Sequence, residues 1–262
     1  MTKLPRLLRR AALALGLPVV LLVTWWFASA GSQDFYQPPL ETIFRVFPDT
    51  WTAARLRSDV LPSLLRLFAG YGLAVALGIA LGVAIGGNRT LRALTEPVLE
   101  FLRAIPPPVL VPVLILVSGF SDRTKILVIV LGAVWPVLLN TVEGVRGADE
   151  VLVDTCRTYR VRGWLRLRTF VLRAASPQIM VGARQALSIS IIMMVIGELL
   201  GTTNGLGYTV IEFQRGFQIP EMWSGVFILG LLGVALSVLF RLVERQVLRW
   251  YHGARAAERA GH

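Results

Sequence analysis

Long uncharged apolar runs recur along the chain. Ala11–Ala30, Leu67–Gly87, Ala104–Phe120, Ile126–Val142 and Met222–Phe240 carry no charge, and a sixth run from about Ala174 to Leu200 holds only Arg184 and Glu198. A spanning helix needs roughly 20 mostly apolar residues. The pattern therefore predicts an all-α, polytopic membrane protein with six transmembrane helices. The third run starts Ile105-Pro106-Pro107-Pro108, with Pro112 a turn later. Proline removes a backbone donor and clashes with the preceding turn, so this span is expected to be short or bent, preceded by a separate amphipathic helix near Leu94–Arg103. The first run follows a basic start and ends Ala28-Ser29-Ala30, as a signal peptide does, but it exceeds the roughly 7–15 apolar residues of a signal core. An uncleaved first span is expected.

The polar positions between the runs fix an orientation. Cations concentrate at the N-terminus, after span 2, after span 4 and in the tail, eighteen in all, against six in the alternate segments. Excess Lys and Arg mark the cytoplasmic side, so both termini are expected inside. The expected organisation is a basic N-terminal segment at 1–10, a first span at 11–30, an external loop at 31–59 leading into a helix near Val60–Arg66, a core domain at 60–250 containing a cytoplasmic loop at 145–173, and a basic tail at 251–262.

Composition removes several functions. Of the residues, 55% are hydrophobic and 16% charged, and the net charge is +11; about a quarter charged is usual for soluble domains. The cations lie between apolar runs and not along one soluble face, so nucleic acid is not an expected partner. The two histidines, His252 and His262, sit in the tail, and Cys156 is the single cysteine. A His-based triad, a metal cage and an intrachain disulfide have nothing to be built from. No Gly-Lys pair occurs, so the chain carries no P-loop. No cofactor is expected in this chain, and any ATP is expected to be bound by a partner. Ala74, Gly78, Gly82 and Gly86 form a small-residue ridge every fourth residue along span 2. Such ridges let helices approach closely in lipid, within one subunit or across a dimer.

Residues 153–179 read VDTCRTYRVRGWLRLRTFVLRAASPQI, with six arginines and one acid. Gly163 divides it into two short helical pieces, about Asp149–Arg162 and Trp164–Arg173. Positive loops fix topology, but topology needs few charges. This one interleaves arginines with Val153, Tyr159, Val161, Trp164, Leu165, Leu167 and Phe170, a composition suited to a docking surface. The segment Asp154-Thr155-Cys156-Arg157-Thr158-Tyr159 resembles the Glu-Ala-Ala signature of bacterial ABC-transporter permeases. RAIPPPVLVPVLILVSGFSDRTKI, VWPVLLNTVEGVRGAD and GELLGTTNGLGY are similar to the corresponding stretches of permeases for nitrate, sulfonates, taurine and similar solutes, over about residues 55–250.

That resemblance implies a type I ABC importer permease fold, with Asp154, Thr155, Cys156, Arg157, Tyr159, Arg160, Gly163 and Trp164 in a coupling helix that seats on an ATPase. Its implied partners are cytoplasmic ABC ATPase subunits, an external solute-binding protein and a second copy of the chain, assembled in membrane lipid of the bacterial inner membrane. The chain departs from the family in having Arg160 where a glycine is usual and Arg173 where a proline is usual. Cys156 is read as a packing residue. In span 5, Arg184 and Glu198 lie fourteen residues apart, about 40° apart around the helix but roughly 21 Å along it, too far to pair. Arg184 either snorkels or lines a path, and Glu198 either pairs with loop groups or lines the same path, together with Ser188, Ile191 and Val195. An ion-coupled secondary transporter would need several intramembrane acids and an internal repeat. A membrane-embedded enzyme or assembly factor would need acids or histidines clustered at one depth. The spans carry neither pattern, and the chain is not expected to be an enzyme.

Overall fold

The computed structural model describes residues 6–32, 34–201, 203–251 and 253, with side chains from Gly16 onward except at Glu150 and Gly201. Lys3, His252, His262 and the tail arginines Arg255 and Arg259 lie outside the described residues. All regular elements among the described residues are helices: α1 (Arg6–Ser29), α2 (Leu40–Thr50), α3 (Ala53–Gly87), α4 (Arg89–Ala104), α5 (Pro107–Ser118), α6 (Asp122–Arg146), α7 (Glu150–Thr158), α8 (Gly163–Leu200), α9 (Leu206–Arg215) and α10 (Ile219–Val247). Helices α3, α6, α8 and α10 are long and apolar enough to cross a membrane, and the bent pair α4–α5 makes a fifth crossing when taken as one span. The apolar described part of α1, Gly16–Ser29, is shorter than the others. The chain is a multi-pass membrane protein.

The third span behaves as its prolines require. Asn88 caps α4 by accepting from the amides of Thr90 and Leu91, and Pro106–Pro108 then break the chain into α5 at 74°. Two expectations need correction. The external loop at 31–59 is largely helical, because it contains α2 and the first turns of α3. In α2 the positions Leu40, Ile43, Phe44 and Phe47 follow the helical period, and Leu40 and Ile43 are buried; Pro39 precedes the helix and Pro48 lies inside it, so neither terminates the chain direction. The segment Trp164–Arg173 is no separate piece either. It is the first part of α8, a helix of 38 residues. Pro177 would leave the Arg173 carbonyl without its helical donor, and the Ser176 hydroxyl donates to that carbonyl at 2.9 Å. The helix continues through the proline. Helix α9, between the last two spans, was not expected at all.

Helices α3, α6 and α8 form the packed centre. The small-residue ridge of α3 lies on α6 within the one subunit. A Cβ placed on Gly78 would stand 2.7 Å from Val137 Cβ, and one on Gly82 would stand 2.5 Å from Thr141 Cβ. Ala74 is fully buried beside Ala133, Val134 and Val137. Around this centre, α1 packs by its tryptophans: Trp25 stacks on Phe227 and meets Trp223 edge-on, while Trp26 lies against Phe44. The outer faces are apolar, as a lipid environment demands.

Candidate functional site

At one end of the bundle, α7 and the start of α8 form a basic hairpin. Asp149 starts α7, its carboxylate accepting from the amides of Val151 (2.8 Å) and Leu152 (3.3 Å). At the other end, the Val161 amide donates to Cys156 O and the Arg160 amide to Arg157 O. This is a Schellman closure, whose C′ residue takes the left-handed conformation and is usually glycine. Arg160 occupies that position with φ of 52°. The departure at Arg160 thus retains the backbone geometry with a strained residue in place of glycine. Gly163, at φ 59°, turns the chain into α8.

The hairpin turns two different faces outward and inward. Val153 and Cys156 are half-buried on the inner face, whereas Asp154, Thr155, Arg157 and Tyr159 are exposed on the outer one, joined by Trp164 from α8. Tyr159 is 78% and Trp164 71% exposed. Asp154 and Arg157 pair at 2.9 Å, and Thr155 spends its hydroxyl on the Val151 carbonyl. All eight sequence-predicted coupling residues therefore fall in this one hairpin.

The opposite end of the bundle holds a cluster that the sequence alone did not reveal. Arg66, on α3, is 4% exposed and Glu198, near the end of α8, is fully buried. Arg66 Nη1 donates to Glu198 Oε1 at 2.8 Å, Nε donates to Asp122 Oδ1 at 2.9 Å, and Nη2 donates to Asn204 Oδ1 at 2.6 Å. Glu198 also accepts from the Ser63 hydroxyl and from the Gly207 amide at 3.0 Å. Ser63 in turn accepts from the Leu206 amide at 2.8 Å. The buried carboxylate is thereby compensated in charge and in hydrogen bonds, as a buried ion must be.

The GELLGTTNGLGY motif gains a physical meaning here. Gly205 has φ of 118°, and a Cβ on it would lie 2.5 Å from the Glu198 carboxyl carbon. Only glycine lets the chain pass so close to the acid while its next amides turn toward Ser63 and Glu198. Among the residues missed from sequence, Arg66 was the readable signal: a lone cation at the edge of an apolar run, where a partner is expected.

The five span-5 residues separate by surroundings. Arg184 and Ser188 are exposed, Ile191 and Val195 are half-buried, and Glu198 is enclosed. Arg184 donates from Nη2 to Glu244 Oε2 on α10. Met193 and Met194 are core residues, 3% and 1% exposed. Among the described residues no group of three His, Cys, Asp or Glu side chains is arranged to hold a metal.

The chain is a multi-pass all-α bundle with a projecting basic hairpin, and comparison gives its family. Residues 74–251 match the binding-protein-dependent transport system inner membrane component family, and the chain belongs to it. That family consists of transport components and not enzymes. The chain is 30% identical over 237 residues to SsuC of Bacillus subtilis, an aliphatic sulfonates transport permease protein, covering 89% of this chain and 86% of that one. It is 26% identical to the taurine transport system permease protein TauC of Escherichia coli, covering 93% and 91%. It is 30% identical to the bicarbonate transport system permease protein CmpB of Synechococcus elongatus, covering 73% and 69%. Among solved structures, the inward-facing MetNI methionine ABC transporter superposes with a TM-score of 0.64 at 17% identity, over 73% of this chain and 95% of that chain. The fold is that of an ABC importer permease.

Proposed function

We propose that this chain is the permease subunit of an ATP-driven importer for a small solute of the sulfonate, taurine, nitrate or bicarbonate kind, in the inner membrane of a bacterium. In this reading two copies form the path, two cytoplasmic ATPases seat on the basic hairpins, and an external binding protein delivers the solute. Six spans are counted in this reading by adding α1 and the bent α4–α5 pair to the four long helices, an even number that leaves both termini on one side. The excess of Lys and Arg on that side, which the hairpin shares, marks it as cytoplasmic. The observation that carries the proposal is the exposed hairpin face: Tyr159 and Trp164 stand in solvent beside Arg157 and Arg160 without packing on their own subunit. Large aromatics and arginines together are what interface anchors are made of.

Closure of the ATPases would push on this hairpin. Because its second arm is continuous with α8, a displacement there would be carried into the membrane by one helix, through the π-helical turn at Leu167–Val171 and past Pro177. Arg184, Ser188, Ile191 and Val195 are the α8 residues proposed to face the path, with the Arg184–Glu244 pair tying that face to α10. Glu198 acts on the path by anchoring the outer end of α8. The test is co-purification of the ATPase encoded with this chain. Arg157→Glu combined with Arg160→Glu is expected to release it from the detergent-solubilised complex, and undiminished recovery would count decisively against docking at the hairpin.

A further inference from the structure

Behind the hairpin, on the side away from Tyr159 and Trp164, lies a cavity of about 650 Å³ where the ends of α3, α4, α6, α7 and α8 converge. Arg89, Arg92, Arg146 and Arg166 line it, and the described side chains of its lining include no carboxylate. Arg146 is neutralised by Glu143 at 2.8 Å. Arg89, Arg92 and Arg166 enter none of the ion pairs among the described residues. The Nε of Arg166 is also buried with no hydrogen-bond partner. A guanidinium nitrogen withdrawn from water, as Arg166 Nε is, ordinarily has an acceptor, and like charges gathered around one concavity repel unless an anion lies between them.

We propose that this cavity is a binding site for a phosphate- or sulfate-type oxyanion. Arginine's planar fork pairs bidentately with such groups, and the three unpaired guanidiniums reach the cavity from two helices, Arg89 and Arg92 from α4 and Arg166 from α8. The volume falls within the 300–1,000 Å³ range typical of small-molecule sites, so the oxyanion is either free or carried on a small organic group. Apolar walls from Val153 and Phe170 favour a group with some carbon attached. The anion has two sources of the same chemistry: a soluble oxyanion, or the headgroup of an anionic phospholipid. The second is within reach because α4, which supplies Arg89 and Arg92, exposes Leu94, Val98 and Phe101. An anion here would tie the α3–α4 corner to the root of the hairpin, so its occupancy would stiffen the element proposed above to receive force. The binding itself does not depend on that reading.

The experiment uses the purified full-length chain without ATPase or solute, so its failure says nothing about docking. Sodium sulfate and sodium phosphate are titrated against sodium chloride at equal ionic strength, with binding read by calorimetry and by thermal unfolding. Sulfate or phosphate is expected to bind saturably and raise the melting temperature while chloride does neither. Arg166→Gln and Arg92→Gln are each expected to weaken binding at least tenfold, Arg166→Lys less, and Arg57→Gln at the far end not at all. A parallel arm places the chain in phosphatidylcholine nanodiscs with or without phosphatidylglycerol and reads retained lipid by native mass spectrometry. Phosphatidylglycerol retained by the wild type and lost from both glutamine variants assigns the lipid source; saturable sulfate or phosphate binding without lipid retention assigns the soluble one. Should neither anion bind above the chloride control and lipid retention be indifferent to Arg166 and Arg92, the proposal is overturned. Two variants on different helices guard against a single misfolded one.

Discussion

Removing the Glu198 carboxylate tests the Arg66–Glu198 cluster most directly. In Glu198→Ala, Arg66 loses an interior partner, and the Ser63 hydroxyl and Gly207 amide lose their acceptor. Breaking a buried ion pair from one side ordinarily destabilises by about 3–5 kcal/mol. Arg66 keeps Asp122 and Asn204, and Ser63 keeps the Asp59 carbonyl, so the lower end, about 3 kcal/mol, is expected. Glu198→Gln preserves volume and one acceptor but turns an amide N–H₂ toward a donor, for a loss of about 2 kcal/mol. The double variant Arg66→Met with Glu198→Leu removes both charges, and replacing a buried pair by apolar residues is often close to neutral; it should recover most of the deficit. Equilibrium unfolding in mixed dodecyl maltoside and dodecyl sulfate micelles, followed by tryptophan fluorescence, measures all three. The reasoning is refuted if Glu198→Ala lies within about 1 kcal/mol of wild type, or if the double variant is worse than the single one, since either would mean the charge is not held by its partner.

Gly205→Ala should cost about 2 kcal/mol or more in the same unfolding assay, because its Cβ lands on the Glu198 carboxyl and its φ is positive; a loss below about 0.5 kcal/mol would show that the loop relaxes freely. Arg160→Gly should stabilise the hairpin closure by about 1 kcal/mol, seen as roughly fivefold slower hydrogen exchange at the α7 amides, and unchanged exchange would argue against strain at this position. Gly82→Ala pushes α3 off Thr141 and the Leu138 carbonyl, an overpacking loss of about 1–3 kcal/mol, with no change in the dimer fraction on size exclusion; dissociation without destabilisation would instead place the ridge at a subunit seam. Arg184→Ala in proteoliposomes containing the ATPases is expected to depress solute uptake while ATPase recovery stays normal, and uptake at the wild-type rate would remove Arg184 from the path.

Much of the architecture was legible because membrane insertion imposes a one-dimensional rule. A span must be apolar over a length set by the bilayer, so α3, α6, α8 and α10 could be read from runs of residues, and the proline cluster announced the α4–α5 break. What escaped was local helix between the runs. The α2 pattern at Leu40, Ile43, Phe44 and Phe47 was present, but its prolines disguised it as loop. The passage through Pro177 was already contained in the span expected from Ala174, but the continuation of α8 back to Gly163 was not.

The sites divided along the same line. The basic hairpin is contiguous in sequence, so its arginines and aromatics could be listed before any coordinates, although the left-handed closure at Arg160 emerged only with the structure. The Arg66–Glu198 cluster joins Ser63 and Arg66, Asp122, and Glu198 and Gly205 from three distant stretches, and the arginine-lined cavity gathers cations from three helices.

The sequence by itself determined that this chain crosses a membrane repeatedly and which connections are basic, because transfer into lipid is set by the composition of each segment taken alone. Tertiary structure alone decided which charges are compensated, that the glycine ridge serves α6, and that Arg66 completes Glu198. Those outcomes follow from distances between residues far apart in the chain, and the energy of a buried charge depends on what lies within a few ångströms of it.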